Sequence, residues 1–119
     1  MTTSEEWSPV GIEARLKTIA NDNAHLIGLA HDTHRDYLTE AHAYDLAYAR
    51  AYMRCTGPAH ERRYYAEIQT EEERTIMDAA DVAHRHVERQ LRGKRDELDA
   101  IRSVGVSVRQ AYATGGGDS

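Results

Sequence analysis

IEARLKTIANDNAHLIGLAHDTHRDYLTEAHAYDLAYARAYMRC, residues 12–55, decides the fold. Apolar and small residues recur along it at alternating intervals of four and three: Ile12, Leu16, Ile19, Asn23, Leu26, Ala30, Thr33, Tyr37, Ala41, Tyr44, Tyr48, Ala51 and Cys55. This is the seam of a helix that packs with a period near 3.5 residues. The run holds no proline and a single glycine, Gly28, and it stops at Thr56-Gly57-Pro58. There Gly57 is expected to supply a left-handed cap, and Pro58 cannot continue the helix.

The pattern resumes through Tyr65, Ile68, Ile76, Ala79, Ala83, Val87, Leu91, Lys94, Leu98, Ile101, Val104 and Val108, which predicts a second long helix. Thr70 and Glu73 have the spacing of a capping box, so a separate short helix over 58–69 joined by a kink at 69–70 is the alternative. The expected fold class is all-α: a flexible N-terminus over 1–10, a helical hairpin over 11–112 and a disordered tail over 113–119. Within the hairpin, helix 11–55, turn 56–59 and helix 60–112 follow in order. Arms of this length reach roughly 65 Å, and the short connection makes them antiparallel, with paired residue numbers summing to roughly 116. One hairpin buries a single stripe per helix. Ile27, Leu38, Val82 and Val106 would stay outside it, so the hairpins are expected to join as a dimer or tetramer in a helical bundle or coiled coil.

Composition agrees with helix. Among 119 residues there are no Phe, two Pro and seven Tyr, and charged residues reach 29%. No apolar run approaches the roughly 18 residues of a membrane span, and the start MTTSEEWSPVG lacks the basic and apolar regions of a signal peptide, so a cytoplasmic protein is expected. Cys55 is alone, which excludes a disulfide framework and a paired-thiol metal site. The net charge of −5 is uneven, because residues 61–83 hold seven acids and three bases while residues 84–109 hold seven bases and four acids.

His31, His34 and His42 share one face of the first helix, but that face flanks the apolar seam. A bundle metal site needs inward Glu-x-x-His pairs, and the chain offers only Asp22-x-x-His25 and Asp81-x-x-His84. No metal and no cofactor is expected. Nor is catalysis: there is no phosphate loop, dinucleotide fingerprint, nucleophile elbow or HExxH. The tyrosines are more informative. Tyr44, Tyr48, Tyr52, Tyr64 and Tyr65 gather toward the turn, and phenols suit a half-wet interface, so these five are the expected contacts for a protein partner. Asn23 on the seam is a candidate for fixing register, and Gly28 for close helix approach. The alternative partner is nucleic acid, held by Arg85, Arg89, Arg92, Lys94 and Arg95, although Glu88, Asp96, Glu97 and Asp99 interleave with them.

The closing run LDAIRSVGVSVRQAY, after a Tyr- and Ala-rich helix and a Thr-Gly turn, resembles small helical accessory proteins of bacteriophages. That resemblance covers roughly residues 12–110 at the level of pattern. It implies a phage protein acting in the host cytoplasm on a phage or host partner, and it brings no catalytic residues. The WXG100 secreted proteins are also helical hairpins of this length, but their Trp-x-Gly turn is absent, since the turn reads Cys55-Thr56-Gly57-Pro58 and the only Trp is Trp7.

Overall fold

Three helices make up the computed structural model, which describes residues 7–117: α1 over Pro9–Arg54, α2 over Ala59–Gln69 and α3 over Glu71–Gly117. No strand occurs among the described residues. Helix α1 begins at Pro9, earlier than the expected 11, because Ser8 and Pro9 form an effective start signal. The Ser8 hydroxyl accepts the Gly11 N–H at 3.1 Å, and Pro9, which has no N–H to leave unpaired, takes the first helical position. Residues 1–6 of the expected flexible N-terminus, and residues 118–119 of the expected tail, lie outside the described residues. Helix α3 extends to Gly117, beyond the expected end at 112.

The seam of α1 follows its sequence pattern closely. Ile12, Ile19, Leu26 and Ala51 are buried, and the other nine seam positions are half-buried. The turn forms by a different device from the one expected. No glycine among the described residues has positive φ, so Gly57 is not a left-handed cap. Its missing side chain serves space instead, since a Cβ there would collide with the Glu61 carboxylate. Arg62 Nε donates to the Gly57 carbonyl at 2.7 Å and ties the turn to the first turns of α2.

A single helix over 60–112 is corrected to two. Thr70, with φ −111° and ψ 18°, interrupts the helix, and the short α2 is distinct. The break falls where the capping-box spacing placed it, but the box is not made. The Thr70 hydroxyl donates backward to Ala66 O at 2.6 Å, the Thr70 N–H goes to the same carbonyl at 3.1 Å, and Glu73 Oε2 is buried without a hydrogen-bond partner. A threonine bonded to the preceding turn closes α2 in place of capping α3.

The second seam is also corrected between 68 and 84. The sequence pattern follows Ile68, Ile76, Ala79 and Ala83, all of which are exposed. The residues that face inward are Ala66, Thr70, Glu73, Met77, Ala80 and His84, one position further along, and the two readings merge at Val87. From there Leu91, Lys94, Leu98, Ile101, Val104 and Val108 lie inward as expected.

The chain divides into two compact units, Met1–Gly28 with Arg89–Ser119, and Leu29–Glu88. In the first, Ile12 and Ile19 of α1 form a cluster with Ile101 of α3, and Trp7, Leu16, Leu98, Val104 and Val108 pack against it. Gly105 allows this closeness, for a Cβ there would stand 3.3 Å from Ile12 Cγ2. Lys94 reaches Asp22 at 3.6 Å and Glu97 at 3.5 Å, and Asn23 Oδ1 is buried without a hydrogen-bond partner. The second unit is built differently. Its buried apolar residues are Ala51, Ala66 and Val87, joined by Thr70, all small or branched. Its large apolar residues Leu29, Leu38, Leu46, Met53, Ile68, Ile76 and Val82 are exposed.

Candidate partner-binding site

The most aromatic surface belongs to the second unit and follows from four-residue spacing on α1. Tyr44, Tyr48 and Tyr52 succeed one another at i, i+4 and i+8, which carries each ring one turn beyond the last. Tyr44 and Tyr48 have centroids 6.1 Å apart and tilted by 48°, and Tyr48 and Tyr52 are 6.4 Å apart and closer to parallel at 26°. The three rings make one ladder, half-buried along its length.

Helix α2 extends this ladder with cations. The Arg62 guanidinium lies 5.9 Å from the Tyr52 centroid, held there by its bond to the Gly57 carbonyl. Arg63 stands 5.2 Å from the Tyr64 ring, which is 55% exposed. Tyr65 is half-buried. The five tyrosines singled out from the sequence thus fall in one compact unit, three of them in mutual contact. Arg62 and Arg63 were missed by the sequence reading, although their position just past the turn, with Tyr52 just before it, was the available signal.

No hydroxyl of Tyr44, Tyr48, Tyr52, Tyr64 or Tyr65 makes a hydrogen bond to another described residue. Phenols that satisfy themselves within the fold are rigid parts of a core, whereas these present unused donors and acceptors beside apolar ring faces and two guanidinium groups. Such a surface suits a protein partner that brings apolar side chains together with carboxylates or backbone carbonyls.

The histidines divide. His31 and His42 are exposed on α1. His34 meets His84 of α3 with ring centroids 5.0 Å apart. His84 itself is on the seam, with Nδ1 3.0 Å from the Thr33 hydroxyl and Nε2 2.8 Å from Glu88. Both ring nitrogens are therefore engaged by the protein. Among the described residues no group of three or more His, Cys, Asp or Glu side chains is arranged to hold a metal ion.

The basic run is not one surface. Lys94 is half-buried between Asp22 and Glu97, and Arg85 is paired with Asp81 at 3.1 Å. Arg89, Arg92 and Arg95 are exposed. Of the five cations, two are thus occupied by carboxylates of the chain itself, which lowers the positive potential available to phosphates. No helix among the described residues is long and apolar enough to cross a membrane. Comparison with known proteins gives no match, whether to a family model, to a curated protein or to a solved structure.

Proposed function

We propose that this chain is a non-catalytic helical interaction protein in which α1 and α3 fold back on one another as an antiparallel hairpin. Copies of the hairpin associate into a bundle, and the tyrosine ladder with Tyr64 and Tyr65 contacts a partner protein. One observation carries the reading. The unit Leu29–Glu88 buries Ala51, Ala66, Val87 and Thr70 while seven larger aliphatic or thioether side chains remain outside. A protein that places its small residues inside and its large ones outside has surface to cover.

Pairs of contacting residues within each unit support the hairpin. Thr33 meets His84 in one unit, and in the other Asp22 meets Lys94 and Ile12 lies over Gly105. Their residue numbers sum to 116 or 117, the relation that antiparallel arms about a short turn must obey.

The test is solution mass by light scattering across a salt series, with and without short single-stranded and duplex DNA. The expected result is a salt-insensitive mass of at least twice the 13.4 kDa of one chain, unchanged by either DNA. A monomer that shifts onto DNA at low salt would overturn the proposal and assign function to Arg89, Arg92 and Arg95.

A further inference from the structure

The exposed apolar residues of α3 in one unit have a counterpart in the other. In the unit Leu29–Glu88, Ile76, Ala79 and Ala83 recur at helical spacing on the outside of α3, with Ile76 45% exposed. They form a ridge whose only large side chain is Ile76. In the unit that contains Arg89–Ser119, α3 carries a shallow hollow of about 370 Å³ lined by Ser103, Val104, Ser107, Val108 and Ala111. All of its lining residues come from α3, so its open side is not closed by α1.

Ridge and hollow lie on the same rows of α3. Ile76, Ala83, Val104 and Ala111 are separated by multiples of seven residues, and so are Ala79 and Ser107. Between Ile76 and Thr114 the charge on these rows is Glu97 alone, which Lys94 engages at 3.5 Å. The segments that carry them are opposite in sign. Residues 71–88 hold six acids and two bases, a net of −4, and residues 89–117 hold six bases and three acids, a net of +3.

We propose that the occupant of the hollow is the ridge of a second copy, so that two α3 helices pair antiparallel about a two-fold axis beside Gly93. Ile76 of each copy enters the hollow near Ala111 of the other, Ala79 meets Ser107, and Ala83 meets Ser103. The antiparallel direction is the one that sets each acidic segment against a basic one, and the symmetry makes every favourable contact occur twice. Gly93 tolerates the closest point of approach, because space is open around its Cβ position. This inference rests on the self-assembly proposed above and specifies the face and register by which it happens.

Cysteine pairing reads the register directly. In a Cys55→Ser background, chains carrying Ala79→Cys alone, Ser107→Cys alone, and an equimolar mixture of the two are oxidised mildly and weighed under denaturing conditions. With the axis beside Gly93, Ala79 of one copy lies about 42 Å along the helix from Ala79 of the other, at 1.5 Å per residue. Neither variant alone is expected to cross-link, the mixture should become mostly covalent dimer, and Gly93→Cys alone should dimerise. A second measurement, the mass of Ile76→Glu, is expected to show at least a tenfold weaker association with helicity retained, since the substituted residue is exposed. A wild-type chain that stays monomeric overturns the self-assembly and this interface together. A wild-type oligomer whose mixture does not cross-link, or whose Ala79→Cys chain cross-links to itself, overturns the interface alone.

Discussion

Replacing Gly28 and Gly105 by alanine, one at a time, should move stability in opposite directions. Both glycines sit inside long helices of the same unit, Gly28 in α1 and Gly105 in α3, so each substitution gains the same intrinsic helix propensity of about 1 kcal/mol. Their surroundings differ. A Cβ at Gly28 meets nothing within 4 Å, so the gain should appear in full as about 1 kcal/mol of added stability. A Cβ at Gly105 stands 3.3 Å from Ile12 Cγ2, and Ile12 is 4% exposed and held by Ile19 and Ile101, so it yields poorly. Overpacking of a filled site costs about 1–3 kcal/mol, which cancels or exceeds the propensity gain and leaves a net change between about 0 and −2 kcal/mol. Urea unfolding followed by circular dichroism measures both, at one chain concentration because assembly makes apparent stability concentration-dependent. For Gly28→Ala the melting temperature should rise by roughly 3–6 °C, the range between small and mid-sized domains. Two results would refute the reasoning. Equal stabilisation by both substitutions would mean that Ile12 does not abut Gly105. A destabilising Gly28→Ala would mean that the face around Gly28 is covered by a neighbour.

Other substitutions probe the core, the break and the buried polar atom. Ile101→Ala removes a residue 5% exposed from the Ile12–Ile19 cluster and should cost about 2–4 kcal/mol in urea unfolding, whereas Val106→Ala, at 47% exposure, should cost less than about 1 kcal/mol. Thr70→Val keeps the shape at the junction of α2 and α3 but deletes the 2.6 Å bond to Ala66 O, and a loss of about 1 kcal/mol with unchanged helical content is expected. Asn23→Leu removes a buried Oδ1 that has no partner and should stabilise by about 1–2 kcal/mol. If light scattering then shows a wider distribution of masses than wild type, Asn23 fixes register; an unchanged mass leaves it without that role.

The legible part of the fold is α1, and the reason lies in its residue types. Its inward positions are isoleucine, leucine, alanine and tyrosine over most of its length, and the intervening positions are polar, so apolarity and burial coincide. The tyrosine surface was legible on the same ground, because Tyr44, Tyr48 and Tyr52 sit at helical spacing and the turn at Gly57-Pro58 fixes where α2 begins. The start of α1 was also available in Ser8-Pro9 and was passed over in favour of the apolar run that follows.

Residues 68–84 defeat an apolarity criterion because inside and outside are exchanged there. Ile68, Ile76, Ala79 and Ala83 fit the seam pattern better than Thr70, Glu73, Met77, Ala80 and His84, yet the second set faces inward. Polar pairing accounts for part of this: Thr33 and His34 of α1 both engage His84, and Thr70 is buried by its bond to Ala66. A seam of this kind contributes little by hydrophobic transfer, and the buried Glu73 Oε2 with no partner works against it. A one-residue rotation of the helix would bury Ile76 and expose Glu73, which is the arrangement the lone sequence favours. The observed rotation is reasonable if Ile76 is buried elsewhere, and a second copy of α3 provides that burial at the hollow between Ser103 and Ala111. The register of the inner seam and the covering of the outer ridge are then one problem. A chain held monomeric by dilution should accordingly show its weakest amide protection from hydrogen exchange in residues 71–84, and protection there should rise with concentration more than in residues 96–108. Uniform protection along α3 at every concentration would separate the two and leave the polar seam to be explained by its own hydrogen bonds.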